Sequence, residues 1–180
     1  MAQLKTGSLL PEFRYDTPFE NDLAIAHMVS KAEKTAIIFL RYYGCPTCQL
    51  DMHNISQNYN EIVGENGQIV VVLQSSVENL KKLITKDTFP FPIICDPQQE
   101  LYKQFGIDRA ASMVKMMDAK SVAKVLKATA KGIKHGAYEG EELQLPACFV
   151  VDKNLKLVHC HYGRSIGDVP TNEELKTLLK

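Results

Sequence analysis

The sequence predicts an α/β fold: a mixed central sheet with helices on both faces and a helical insertion over about residues 107–144. Two observations carry this. Short β-branched runs, Ala36-Ile37-Ile38-Phe39-Leu40 and Ile69-Val70-Val71-Val72-Leu73, have the length and residue types of strands buried on both faces, and they alternate with helical patterns. Two late apolar segments, Pro146–Val151 and Leu155–His161, are joined by the polar turn Asp152-Lys153-Asn154, as in an antiparallel hairpin. At 180 residues the chain fits one domain over 1–180 and can bury a core without staples.

Gly7–Asp16 is an extended, proline-containing start, followed by a turn at Thr17-Pro18. Phe19–Lys34 carries Leu23, Ala26, Met28 and Val29 at helical spacing and is predicted as a helix. Lys34–Tyr42 holds the first buried strand. A helix is predicted from Pro46 to about Val63, since proline suits a first turn, where its missing N–H is no loss. After a turn at Gly64–Gly67, Gln68–Gln74 is the second strand. Ser76–Lys86 reads as a helix capped by Ser75 or Ser76, with Leu80, Leu83 and Ile84 on one face. Phe91–Asp96 is the third strand, and Gln98–Phe105 a short helix ending at Gly106.

Ala110–Lys131 reads as one long helical stretch with a methionine face of Met113, Met116 and Met117. Core packing is the simpler account of that face, and a lid or partner surface the other. Its lysines read as a solvated face, and Gly132–Gly140 as a mobile glycine-rich loop. Thr171–Lys180 closes the chain as a helix in which Thr171 and Glu174 make a capping box.

Lys plus Arg and Asp plus Glu both number 21, so the balanced charge offers no overall footprint for nucleic acid or an anionic membrane. No apolar run approaches the roughly 20 residues of a membrane span, and the first residues lack the apolar core of a signal peptide. The expected compartment is the cytoplasm. Five cysteines, an odd number, do not read as a disulfide framework. In a reducing compartment, a close pair reads as catalytic or metal-binding.

That pair is Cys45 and Cys48, in Gly44-Cys45-Pro46-Thr47-Cys48. A buried strand, then Cys-x-x-Cys opening a helix inside a βαβ pattern, is the thioredoxin-like redox arrangement. Helical residues three apart share a face, so the two sulfurs can meet. The helix N-terminus stabilises a thiolate, the reactive form of cysteine. Cys45 is expected to be the more exposed thiol and Cys48 the more buried, with Asp51 and His53 following in the helix. In thioredoxin-like folds a cis-proline at the start of the penultimate strand sits beside the pair and shapes substrate docking. Pro146 is therefore expected to be cis and adjacent to it, although a strand-start proline is tolerated at any sheet edge.

The expected site is thus Cys45 and Cys48 as catalytic residues, shaped by Pro146, Gly44, Thr47 and Arg41, with no cofactor and no metal. Cys95 reads as a buried inert thiol. Cys148 does too, with a third redox role as the lesser reading. Cys160 between His159 and His161 raises the question of zinc. Strand alternation turns Cys160 away from both histidines, and no second compact ligand pair is present. His27, His53 and His135 read as surface residues.

Several segments resemble a known family. Gly7-Ser8-Leu9-Leu10-Pro11-Glu12-Phe13 resembles the opening of peroxiredoxins. Arg41-Tyr42-Tyr43-Gly44-Cys45-Pro46-Thr47-Cys48 is similar to the active-site segment of the peroxiredoxin-like branch of the alkyl hydroperoxide reductase/thiol-specific antioxidant (AhpC/TSA) group. Ile94-Cys95-Asp96-Pro97 with Leu101–Gly106, and His159–Pro170, resemble later segments of the same family. The resemblance covers most of the chain except the Ile107–Gln144 insertion. It implies a thioredoxin-like fold and an oxidoreductase of antioxidant type. It also implies a thiol electron donor of thioredoxin or glutathione type and a peroxide or protein disulfide as substrate, and leaves a homodimer open. The balanced charge and the lack of a long apolar run give the expectation of no nucleic-acid or membrane partner.

The resemblance has two departures. Where the family carries a Thr three residues before its peroxidatic cysteine, this chain has Cys45, so Cys48 takes the peroxidatic place. Where the family has an Arg at the start of the late strand, this chain has Pro146. These favour thiol–disulfide exchange, with Cys45 attacking and Cys48 resolving. The alternative is a thiol-dependent peroxidase in which Cys48 is oxidised and Cys45 resolves. A non-catalytic binding or metal-binding module is the second alternative. Arg41 either lends positive charge to the pair or sits in an ion pair at a strand end.

Overall fold

In the computed structural model, which describes residues 2–180, the chain starts with two short antiparallel strands, β1 (Arg14–Tyr15) and β2 (Leu23–Ala24). A five-residue helix, α1 (Ile25–Val29), follows. The main sheet is then built around β3 (Lys34–Phe39). It pairs in parallel with β4 (Gly67–Leu73), and β4 pairs in parallel with β5 (Ile93–Cys95). On the other side β3 pairs antiparallel with β6 (Ala147–Asp152), which forms a hairpin with β7 (Leu157–Tyr162). The strand order is β5-β4-β3-β6-β7.

Alternation along β3 builds two cores, because successive side chains leave a strand on opposite faces. Ala36, Ile38 and Leu40 pack under α2 (Pro46–Gln57), α3 (Tyr59–Val63), α4 (Val77–Leu83) and α8 (Asn172–Leu179). Ile37 and Phe39 face α1 and α5 (Glu100–Gln104). On that second face the Phe39 ring meets Tyr102 at 5.1 Å, Phe105 at 4.9 Å and Phe149 at 5.7 Å between centroids. The buried Tyr102 hydroxyl donates to the Leu40 carbonyl, and the Val72 carbonyl lies 3.1 Å from it. The end of the central strand, which launches the cysteine segment, is therefore fixed from below.

Some predicted elements are shorter or divided. The helix expected over Phe19–Lys34 is only α1. Thr17 turns the chain by accepting the N–H groups of Phe19 and Glu20, and Leu23–Ala24 is drawn into pairing with Arg14–Tyr15. The helix from Pro46 breaks at Asn58 between α2 and α3. β5 is cut short next to Pro90 and Pro92, which lack a ladder donor. The long stretch from Ala110 to Lys131 is two helices, α6 (Met113–Met116) and α7 (Ala119–Ala130). Asp118 starts the second by accepting the Ser121 N–H at 2.7 Å, a cap that forces extended backbone between the two. Of the three methionines Met116 is fully buried, while Met113 is exposed. The capping box at Thr171 and Glu174 is present.

Candidate active site

The site grows from the step between β3 and α2. Arg41–Gly44 crosses the end of the sheet, and Cys45, in extended conformation ahead of Pro46, is the N-cap of α2. Its sulfur accepts the Cys48 N–H at 3.4 Å, using one of the free N–H groups of the first helical turn. The Cys48 sulfur lies 2.9 Å from it, and the two are free thiols rather than a bonded pair. Arg41 Nη2 donates to the Cys45 sulfur at 3.0 Å, and Thr47 Oγ1 lies 3.1 Å from it.

These contacts polarise the two thiols in opposite directions. The Cys48 thiol donating to Cys45, with the Arg41 charge and the Thr47 hydroxyl, holds Cys45 well below the ordinary thiol range against the opposing effect of burial. Burial and the negative charge on Cys45 push Cys48 well above that range. One sulfur is set to be a thiolate and its neighbour to carry the proton.

Both sulfurs are buried, Cys45 at 0% and Cys48 at 4% exposure. Cys45 is therefore not the exposed thiol expected from its place at the helix start. The cover is the insertion. The Gly136 N–H donates to the Gly44 carbonyl at 2.8 Å. The backbones approach so closely there that a Cβ on Gly44 would collide with the Ala137 carbonyl. His135 Nε2 lies 3.1 Å from the Tyr42 hydroxyl. Glu139 accepts from Ser75 and Asn79, and Gln74 Oε1 accepts the Glu141 N–H. Arg41 reaches past Cys45 to donate to the Glu142 carbonyl at 2.8 Å, with the Glu142 carboxylate 3.6 Å away. The segment expected to be a mobile loop is an anchored strap across the dithiol.

A second tie holds the insertion. α7 lies on α2, where Lys124 Nζ meets the Asp51 carboxylate at 2.9 Å, both side chains largely buried. Burial pushes the Asp51 carboxyl up to about 6, with Lys124 opposing. Tyr42, Gln74, Ser75, Lys124, Glu139 and Glu142 thus surround the site, although none of them is an expected site residue. The sequence places Lys124 on a solvated lysine face, and the structure corrects this, since Lys124 is buried against Asp51. Ser75 reads in the sequence as a possible helix cap and Tyr42 as part of the family segment, while the glycines at 44 and 136 mark where two backbones touch.

Of the six predicted site residues, Arg41, Gly44, Cys45, Thr47 and Cys48 come together. Pro146 does not behave as expected: every peptide bond among the described residues is trans, including Leu145–Pro146. Its carbonyl accepts the Gly163 N–H at 2.8 Å. Its ring lines a cavity of about 540 Å³ with Gln3, Ile107, Arg109 and Tyr162, a lining that includes none of the cysteines. Cys95 and Cys148 are buried, and burial pushes both thiols up to about 12. Cys160 packs on the aromatic face of the sheet, while His159 and His161 stack on each other at 6.5 Å. Among the described residues no three His, Cys, Asp or Glu side chains are grouped to hold a metal ion. His27 and His53 are exposed, and His135, also exposed, is the one that touches the site through Tyr42.

A mixed sheet in this strand order, with Cys-x-x-Cys at the N-terminus of the helix after the central strand, defines a thioredoxin-like fold carrying a thiol site. Residues 6–160 match the model of the AhpC/TSA family, and the chain belongs to that family. It is similar to the prostamide/prostaglandin F synthase of Aquarana catesbeiana, with 28% identity over 153 residues, 83% of this chain and 75% of that protein. The same enzyme of Xenopus tropicalis is 28% identical over 82% of this chain and 75% of its own length. Among solved structures, peroxidoxin BcpB from Mycobacterium tuberculosis superposes with a TM-score of 0.70, at 16% identity over 98% of this chain and 97% of its own. Peroxiredoxin 6 of Arenicola marina superposes at 0.68, with 14% identity over 97% of this chain and 72% of its own. At such identities the structures show the shared fold. Together with family membership they support a thiol redox enzyme.

Proposed function

We propose that this chain is a dithiol-dependent oxidoreductase in which Cys45 is the attacking thiolate and Cys48 the resolving thiol, and that its substrate is a peroxide. The observation that carries the reading is the convergence of Arg41 Nη2, Thr47 Oγ1 and the Cys48 thiol on one sulfur, that of Cys45. Among the described residues Arg41 Nε is buried without a partner, so a donor remains beside the thiolate for a substrate oxygen. A family peroxidase would draw such donors from a Thr and an Arg at other positions. Here Arg41 and Thr47 serve Cys45, which favours Cys45 over Cys48 for the peroxidatic role. A sealed thiol also suits a small substrate, which needs the least displacement of the strap.

In the first step the Cys45 thiolate attacks the O–O bond. The sulfur takes one oxygen as sulfenic acid, and the other leaves as alkoxide or hydroxide, which takes a proton to become alcohol or water. The Cys48 sulfur, giving up its proton, then attacks Cys45. A Cys45–Cys48 disulfide forms and water leaves. Two electrons from a dithiol or thiol donor, of thioredoxin or glutathione type, restore the pair. Compartment follows chemistry: a pair that must be re-reduced belongs in a reducing setting such as the cytoplasm.

Thiol–disulfide exchange is the second reading, supported by the single helical turn between the two sulfurs, which places the resolving thiol against a mixed disulfide. Rapid-mixing measurement of Cys45 oxidation by hydrogen peroxide, and separately by a small disulfide, decides between them. The expected result is faster oxidation by peroxide, slowed about 10²–10³-fold when Arg41 is replaced by Met, the cost of losing one charge-stabilising donor. Faster reaction with the disulfide, indifferent to Arg41, would transfer the proposal to exchange.

A further inference from the structure

The net charge of zero conceals a segregation. Between Met113 and Lys134 the chain holds six lysines against one acid, Asp118, so the remainder is net acidic. α7 carries half of those lysines. At 3.6 residues per turn, Ser121 and Ala128 define its inner face and both are buried, while Lys124 at the edge is tied to Asp51. The opposite arc holds Val122, Ala123, Leu126 and Ala130, all exposed, with Leu126 at 64%. Lys120, Lys127 and Lys131 line one flank of that arc, also exposed, and Val125 lies on the other. In the preceding turn Val114 stands out at 83% exposure. A helix on a protein surface ordinarily turns its polar side outward. Here the outward side is apolar with a row of cations beside it.

We propose that this face of α7 docks on an anionic membrane surface, with the α7 axis lying along the bilayer. An amphipathic helix of this kind buries an apolar strip at the level of the headgroups, while lysines beside the strip reach anionic phosphates through their flexible stems. Charge complementarity decides the occupant. In an antiparallel twofold contact with a second copy the two lysine rows would lie on the same side of the seam, which opposes that packing, whereas an anionic surface meets the row with opposite charge. No helix among the described residues is long and apolar enough to cross a membrane, so the contact is peripheral. The proposal goes beyond the redox reading and does not depend on it.

The test is sedimentation of the whole chain with vesicles of phosphatidylcholine, with and without about one third phosphatidylserine. Binding to the anionic vesicles is expected at low salt, weakening as salt rises, with little binding to phosphatidylcholine alone. Each lysine near an anionic surface contributes about fivefold, so Lys127→Gln with Lys131→Gln should weaken binding about 25-fold. Leu126→Asp should weaken it comparably by removing the inserted side chain. All three positions are exposed, and unchanged thermal melting will show that the variants fold. No binding to anionic vesicles at low salt would overturn the proposal. So would equal binding to both vesicle types, or binding that the variants leave untouched. Retention on polyglutamate without vesicle binding would overturn it in favour of an acidic protein partner.

Discussion

Arg41 Nη2 lies 3.0 Å from the Cys45 sulfur, and both residues are buried. A buried guanidinium needs an anion. The Glu142 carboxylate, 3.6 Å away and half-exposed, meets only part of that need. The Cys45 thiolate meets the rest, so each charge makes the other tolerable in a site closed to water. The same contact links the strap to the chemistry, because the other arm of Arg41 donates to the Glu142 carbonyl.

The first prediction follows from that pair. Thiolate absorbance of the reduced protein, or alkylation of Cys45 against pH, should show a midpoint well below the roughly 8.5 of a free cysteine. A nearby opposite charge within about 4–6 Å lowers an acid by about 1–3 pH units, so Arg41→Met should raise the midpoint by that amount. Cys48→Ala should raise it as well, since the Cys48 thiol is the first of the donors stabilising the thiolate. A midpoint indifferent to both substitutions would mean that the helix N-terminus alone activates Cys45.

The second concerns the tie between α2 and α7. Lys124→Met leaves Asp51 buried without its cation, and stripping one partner from a buried pair costs about 3–5 kcal/mol. The cost should depend on pH with a definite sign. Burial holds the Asp51 carboxyl near 6 in the folded chain, above its unfolded value of about 3.9. Removing Lys124 raises the folded value further. A group raised in this way contributes stability that is fully present below its unfolded value and lost as pH rises through its folded value. Urea unfolding should therefore find the variant close to the parent near pH 4 and progressively weaker from about pH 6 upward. A deficit that stays constant across that range would exclude Asp51 as its source.

The main sheet was legible in the sequence because β3 and β4 are buried on both faces and so read as unbroken apolar runs. Cys45-x-x-Cys48 was legible because the spacing itself carries the geometry. The sequence leaves Arg41 between two roles, and the structure gives it both, charge donor to Cys45 and partner of Glu142. The strap was not legible. Its hold on the site runs through backbone contacts at Gly44 and Gly136 and through pairs such as Asp51 with Lys124, separated by 73 residues, for which a single sequence has no local signal. Pro146 misled for a related reason. A proline at a strand start is compatible with either peptide isomer, and only the path of the neighbouring chain selects one.

A third prediction isolates the strap. In Gly44→Ala the new methyl would meet the Ala137 carbonyl, and since both sides of the contact are backbone the strap must shift. Forcing a methyl into a closed contact costs about 1–3 kcal/mol. The displacement should also open Cys45, so that alkylation at a pH where the thiol is fully ionised becomes faster although stability falls. Slower alkylation would show that the strap orders the thiolate more than it shields it.

The last prediction concerns the division of labour between the sulfurs. If Cys45 attacks, Cys45→Ser removes the first chemical step and should abolish turnover, because Cys48 keeps its proton at neutral pH and lacks both the Arg41 and the Thr47 side-chain contacts. Cys48→Ser leaves the attacking thiolate in place and should react once. With peroxide it should accumulate Cys45 sulfenic acid, which dimedone captures. With a disulfide reagent it should accumulate a mixed disulfide at Cys45, since the resolving sulfur is gone. In the parent protein, mass mapping after gentle oxidation should find the Cys45–Cys48 bond. Bonds to Cys95 or Cys148 are disfavoured because the Cys48 sulfur already lies 2.9 Å from that of Cys45. Dimedone adducts on Cys48 in the Cys45→Ser protein, formed at the parent rate, would reverse the assignment, and Arg41 would then have to act on Cys48 instead.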